Sequence, residues 1–532
     1  MCATVRAVTT PKRTLQIGGR EYEFVLPRWQ DPRLTVSAVV MSVLIIGVAT
    51  LGFRVSVPQI LASLITALVI EGVWTYRHTG KLVWPASGLN TATGIALILR
   101  VSGTGGGGYW STSGWYVYAL VVAFALLTKY LVHFRGSHIF NPSNVALVLA
   151  FVLLGSSRVE PLDFWWAPLG GSMVVIYVII LTGGVVTLAR LKLLEIPIAF
   201  WLTLAAGLGL LAASGHCFTA RWSVGPVCGT SFWWVVVTSP ELLFFLFFMI
   251  TDPKTIPRGR VARIIHGVST GAVATLLIAP QSTEFGAKVG LLASLAVVSA
   301  LRWLLERWFP EEVPDQSPAV QLIARLAGTG GVVAGRARTF WRGALAGSVV
   351  ATVALLIVAF GAPARQPARA NVPEEVPEVE VDVDPASLPA VTVDPEVTAL
   401  SSDIGTPDDL AITLARNLAI EAEAMQRHEG ELLLAADFGG RLDEMLAQMS
   451  QSVASGEWVV ARYSFVSLHL RAVAVEGGQG TDLGFEALGT VEETTYDADG
   501  EELHRESHPL ASLFVLKLTP GDVWLITNES EL

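Results

Sequence analysis

Charge is scarce in this chain of 532 residues: Asp, Glu, Lys and Arg make up 15% of it, against roughly a quarter in soluble proteins. That shortage excludes an ordinary water-soluble globular chain. Cysteine is scarcer still, with three in all. No Cys-x-x-Cys or Cys-x-x-Cys-His spacing occurs, so iron–sulfur clusters and c-type haem lack their ligand motifs. The glycine-rich stretch Gly103–Gly108 is not followed by Lys-Ser/Thr and is no phosphate loop. The first 30 residues are polar and basic without an apolar core, which predicts no cleavable signal peptide. Nucleic acid is not an expected partner.

What the chain has instead is apolar length: 52% of its residues are hydrophobic and the mean hydropathy is +0.53. The net charge of −10 conceals a division, because residues 1–361 hold 27 Lys+Arg against 14 Asp+Glu, and residues 362–532 hold 9 against 32. The first part suits lipid and the second suits water. Apolar runs predict about ten spans, near 34–53, 56–75, 87–102, 115–133, 142–156, 171–189, 195–214, 231–251, 264–280 and 286–305, with an eleventh near 340–361. About 20 apolar residues cross a bilayer core of about 30 Å. Basic residues collect in alternate connections: Arg77 and Lys81, Arg135, Arg190 and Lys192, Lys254 to Arg263, then Arg302 to Arg342. The positive-inside rule therefore predicts a multi-pass plasma-membrane protein with a cytoplasmic N-terminus and an extracytoplasmic tail.

The expected fold is mainly α. A basic leader (1–33) precedes a ten-span bundle (34–305), a cytoplasmic connector with one further span (306–361), a Pro-rich acidic linker (362–407) and a soluble α+β domain (408–532). Ten spans can be two sets of five, the second inverted, so that span three corresponds to span eight. In the tail, Asp408-Asp409 starts a helix to about 427, and 438–455 reads as a second. Alternating stretches follow at Trp458–Val475, Leu483–Tyr496 and Leu510–Ile526, broken by Gly477-Gly478 and Asp497–Gly500. This pattern suggests a small cone loosely like NTF2 or cystatin folds, serving as a docking or regulatory module. His504 and His508 read as exposed strand-end histidines.

Polar residues inside apolar runs carry the functional reading. An acid at the bilayer centre costs about 2.5–3.5 kcal/mol on insertion scales, so such groups keep a partner, a wet cavity or a ligand. Glu241 lies within the run Ser231–Thr251, and Asp252 ends it in Thr251-Asp-Pro-Lys254. Three starts of helices interrupt spans. Asn141-Pro142-Ser-Asn144 places an Asn cap before a proline, Thr238-Ser-Pro-Glu241 repeats that grammar, and Ser87-Gly88-Leu-Asn90-Thr91-Ala-Thr93-Gly94 gives span three a polar start. Short capped half-helices aim backbone N–H groups and dipoles at ions, phosphates or flavins. The competing reading is simple proline kinks, with Asp252 as a cap. Glu71 and Arg100 lie near span ends and read as snorkelling side chains. Cys217 and Cys228 share a predicted outer loop, where a disulfide and two unpaired thiols are both open.

These pieces, in this order, resemble the RnfD/NqrB family, membrane subunits of the Rnf electron-transport complex and of the sodium-pumping NADH:quinone reductase. The resemblance covers about residues 60–305 and rests on Ser87–Leu99, Ile139-Phe-Asn-Pro-Ser-Asn144, Met249-Ile-Thr-Asp-Pro-Lys254 and Ile265-His-Gly267. The wording at Phe140–Asn144, Arg158–Trp166 and Ala213–Cys217 is similar to the UnbU-type branch of enediyne natural-product clusters. The resemblance implies an electron-transfer subunit that binds flavin, couples to Na⁺ or H⁺ movement, and sits in the bilayer with other subunits of a redox complex. It implies Ser87, Gly88, Asn90, Thr91, Thr93, Asn141, Pro142, Asn144 and Thr251 as cofactor-binding candidates. Glu241, Asp252 and Lys254 are the ion-coupling candidates. Better-known members attach FMN to a threonine in the outer loop after the Phe-Asn-Pro helix. Here that loop, Ser156–Pro168, has no threonine, so FMN or riboflavin is expected to be non-covalent. No metal and no catalytic residue is expected. The alternative is a non-redox transporter or channel-like protein using the same cavity for a small solute, with the tail as an external docking domain.

Overall fold

The computed structural model describes residues 13–308, 355–359 and 377–532, apart from residues 18–19, 29–30, 105–107, 135, 162–170, 221, 224–225, 378, 380, 382, 399, 401–404, 475–480, 499 and 519–522. Helices predominate, and the described residues form two compact units. In the first, six helices are long and apolar enough to cross a membrane, fewer than the ten expected. They are α1 (Pro32–Thr50), α2 (Val57–Thr79), α6 (Gly171–Leu191), α7 (Glu195–Ala213), the broken helix Gly229–Met249 and α10 (Arg260–Ile278). Between α2 and α6 lie α3 (Ala86–Ile98), α4 (Trp115–Leu131) and α5 (Pro142–Leu154), and α11 (Glu284–Ala300) and α12 (Arg302–Trp308) follow α10. The eleventh expected span falls almost wholly outside the described residues.

Half of the shortfall has a local cause; the other half is α4 and α11, which at 17 residues each are barely shorter than a span. Helices α3 and α5 have 13 residues each, about 20 Å at 1.5 Å per residue. After each, the chain becomes extended. Strands β4 (Leu99–Val101) and β7 (Val159–Pro161) then pair antiparallel, and the Tyr118 hydroxyl donates to the Leu99 carbonyl at 2.6 Å. The basic leader also has unexpected order: β1 (Arg13–Ile17) and β2 (Arg20–Val25) form a hairpin, and β3 (Leu82–Val83) adds in parallel.

The span beginning at Ser231 is interrupted where its sequence requires. Helix α8 (Gly229–Thr238) stops, the Ser239 hydroxyl accepts from the Leu242 N–H at 3.1 Å, and α9 (Pro240–Phe244) continues into a π-helical turn, Phe245–Met249. Pro240 has no N–H to give the preceding turn, which frees carbonyls that lipid cannot satisfy. Tyr177 donates to the Thr238 carbonyl and Trp201 to the Val237 carbonyl, each at 3.0 Å. Helices α7 and α10 pack closely because Gly267 and Gly271, four residues apart, face α7. A Cβ at either would lie 2.7–2.8 Å from the Ile196 or Phe200 carbonyl oxygen.

Loop strands β5 (His133–Phe134) and β6 (Ser137–His138) form a small hairpin, as do β8 (Cys217–Thr219) and β9 (Pro226–Cys228). Cys217 pairs opposite Cys228 in the second hairpin and the two are disulfide-bonded.

The second unit is built on a five-stranded sheet in the order β10 (Val391–Val393), β11 (Trp458–Ala474), β12 (Thr481–Tyr496), β13 (Glu502–Leu518) and β14 (Trp524–Glu531). Helices α13 (Pro407–Arg427) and α14 (Gly440–Ser455) lie close to the expected bounds. Thr406 caps α13 in a reciprocal box with Asp409. The stretch expected as one strand, Leu510–Ile526, is the end of β13 and the start of β14. Residues of the expected linker belong to this unit: β10 pairs in parallel with β11, and Val379, Val381 and Leu388 pack on the core. The domain therefore begins upstream of residue 408. Gly477-Gly478 lie outside the described residues.

Candidate functional site

The three motifs read from sequence meet at one cavity of about 550 Å³ in the helical unit, within the few hundred to 1,000 Å³ usual for ligand sites. Ser87, Asn90 and Thr91 reach it from α3, Asn141 and Pro142 from α5, and Thr251, Asp252 and Lys254 from the segment after the π turn. The N-terminal end of α1, at Asp31–Arg33, also lines it. Three helix N-termini thus border one space, and their partial positive charge favours an anionic or electron-rich group. Phe244, Phe247 and Phe248 supply an apolar wall.

Each polar residue is held by local grammar. The Asn141 side-chain oxygen accepts from the Asn144 N–H at 3.2 Å and the Ser143 hydroxyl at 2.8 Å, while its Nδ2 donates to the Met249 carbonyl at 3.3 Å. That last bond ties the start of α5 to the end of the π turn. Asn90 Nδ2 donates to the Arg33 carbonyl at 3.0 Å, and Ser37 Oγ donates to Asn90 Oδ1. Thr91 donates to Ser87 O at 3.1 Å, and Thr251 to Phe247 O at 2.6 Å. Asp252 accepts from the Lys254 N–H at 3.1 Å through one oxygen, and its other oxygen lies 3.3 Å from His138 Nε2. Asp252 thus closes a local turn over Pro253-Lys254 and is also half of a pair inside the cavity.

Four expected site residues do not reach it. Gly88 faces Glu71, whose carboxylate occupies the space where a Cβ would go. Thr93 turns back onto Leu89 O at 3.0 Å, and Asn144 donates to Leu292 O on α11 at 3.0 Å. Glu241 lies 3.3 Å from Lys288 Nζ, a lysine that is 1% exposed. The snorkelling readings also fail. Glu71 is buried 3.1 Å from Lys129, and Arg100 is buried 3.6 Å from Glu160. Ser87 does not cap α3, which starts at Ala86 with no side-chain cap.

Sequence reasoning missed His138, Asp31, Arg33 and Thr187, all at the cavity. His138 sits three residues before Asn141, on a hairpin with no apolar pattern to mark it. Asp31-Pro32 was legible, because it repeats the cap-then-proline grammar of Asn141-Pro142; Asp31 accepts from the Arg33 N–H at 3.0 Å. No group of three or more potential metal ligands occurs among the described residues.

Searches against protein-family models and against curated proteins find no match for this chain.

Proposed function

We propose that the helical unit is an integral membrane subunit of an RnfD/NqrB-like, flavin-dependent electron-transfer system coupled to Na⁺ or H⁺ translocation. One observation carries the reading: motifs spread along the chain from residue 87 to residue 254, Ser87–Thr91, Asn141-Pro142 and Thr251–Lys254, line one cavity of about 550 Å³. FMN or riboflavin is the proposed occupant, held without a covalent bond. Asn90, Thr91, Asn141 and Thr251 are the proposed polar contacts, and the three phenylalanines the face against the ring. A bound flavin supplies the redox chemistry; the chain binds, orients and excludes water. Asp252, facing His138 and followed by Lys254, is the proposed ion-coupling group.

In the same reading α3, α4, α5 and α11 complete a ten-span core of two inverted halves. The recurrence of packing supports it: α1 on α3 and α2 on α4 in the first half, α6 on α9 and α7 on α10 in the second. The N-terminus is then cytoplasmic, the C-terminal domain extracytoplasmic, and the Cys217–Cys228 bridge lies on the oxidising side. Other subunits of a membrane redox complex are the proposed partners, and the UnbU-type wording suggests service to enediyne-type biosynthesis.

The threonine-free loop Ser156–Pro168 favours a second reading, a non-redox transporter with the same cavity. Visible spectra and cofactor extraction of the full-length purified protein separate the two. Flavin absorbance at about 450 nm supports the first. A colourless preparation that still binds solute supports the second.

A further inference from the structure

The sheet unit holds a second cavity, of about 530 Å³, between α13, α14 and the inward face of the sheet. Its charged lining is lopsided: Glu421, Glu444, Glu493, Glu529 and Glu531 against a single cation, Arg441. Arg441 is already committed. It donates to Glu421 through two nitrogens at 2.8 and 3.1 Å, and it lies 2.8 Å from Glu529 and 3.5 Å from Glu444. Beside this floor Asp437, 1% exposed, is buried against Glu421. Burial first, then the neighbouring Glu421, pushes the Asp437 carboxyl far above the usual range, and burial also raises Glu529. Three carboxyl groups thus crowd one guanidinium at the bottom of an open cleft. Glu493 and Glu531 stand in the lining with no ion pair among the described residues. Met425, Met445 and Leu510 provide apolar walls. Buried carboxylates destabilise a fold unless a proton or a cation offsets them. Asp437 keeps a proton, while Glu421 and Glu529 share the one guanidinium, and titratable groups gathered in a cleft mark binding sites.

We propose that this cavity binds a small amphiphilic cation, an organic amine with an apolar body, its charge against Glu529 and the glutamate rim and its body against the methionines. The inference is independent of the flavin reading, which concerns the other unit.

Dansylcadaverine, a fluorescent primary amine, tests it on the full-length protein in detergent, with its N-acetyl derivative as the uncharged control. The amine is expected to bind saturably and the acetylated probe about tenfold more weakly, the loss of one charge-assisted contact. Glu529→Gln should weaken amine binding about fivefold or more. The double variant Glu493→Gln/Glu531→Gln, at exposed positions that do not support the fold, should weaken it about threefold and flatten its salt dependence. Gly94→Phe, which fills the helical-unit cavity, should leave it unchanged. Equal binding of the two probes, unchanged affinity in the rim variant, or loss of amine binding in Gly94→Phe would each overturn the proposal.

Discussion

Glu71, Arg100 and Glu241 are buried in the helical unit, and each faces an oppositely charged side chain: Lys129, Glu160 and Lys288. The sequence marks such a residue as costly but does not name its partner, because Lys129 and Lys288 lie 58 and 47 positions from their acids. Removing one member leaves an uncompensated charge. Lys288→Met is therefore expected to cost about 3–5 kcal/mol, and Lys288→Met/Glu241→Leu to recover most of it. Unfolding of the purified variants in mixed micelles measures both. Asp252→Asn should abolish cation coupling while costing only about 0.5–1.5 kcal/mol, the worth of one hydrogen bond; coupling that survives would reduce Asp252 to a structural role. In the sheet unit Asp437 has a folded pKa raised above its unfolded value of about 4. The native state then holds a proton that the unfolded state releases, so stability falls as pH rises from about 4. Asp437→Asn should flatten that fall, read as denaturation midpoints between pH 5 and pH 9.

At the scale of elements, helix starts with a cap and a proline were legible: Asn141-Pro142 and Ser239-Pro240 both begin helices, whereas the tail helix expected from Asp408 starts at Pro407 with Thr406 as its cap. Helix α3 was less so, since its polar start named no cap, and the helix begins at Ala86 without a side-chain cap. Hydropathy windows count apolar residues without seeing where the chain turns extended, so α3 and α5 entered the count of ten although their polar starts already marked them as short half-helices. The Ser239-Pro240 break depends on Tyr177 and Trp201 taking the carbonyls of Thr238 and Val237. Tyr177→Phe and Trp201→Phe should each cost about 1–3 kcal/mol, the penalty of an orphaned buried polar group. Equal stability would mean that water reaches those carbonyls. Gly271→Leu meets the Phe200 carbonyl and should force α10 off α7 at about 1–3 kcal/mol or more.

For the molecule as a whole, composition separated an apolar basic part from an acidic soluble part. That division, at 361/362, coincides with the start of the second unit's long segment at Gly361; the folded domain itself was expected only from 408, because a three-residue edge strand at Val391–Val393 is too short to stand out from a proline-rich stretch. The site was legible as motifs but not as a shape, since His138 and the start of α1 join it only through tertiary packing. Thiol titration of the denatured, unreduced protein should find one free thiol, Cys2, with Cys217 and Cys228 bonded; three would contradict the hairpin. If half-helix starts enclose a flavin-binding chamber, riboflavin and FMN titrated into the full-length protein are quenched saturably at about one flavin per chain, and Gly94→Phe, at a position lining the chamber, abolishes that quenching. No quenching, or quenching that Gly94→Phe leaves intact, would mean that the chamber holds no flavin.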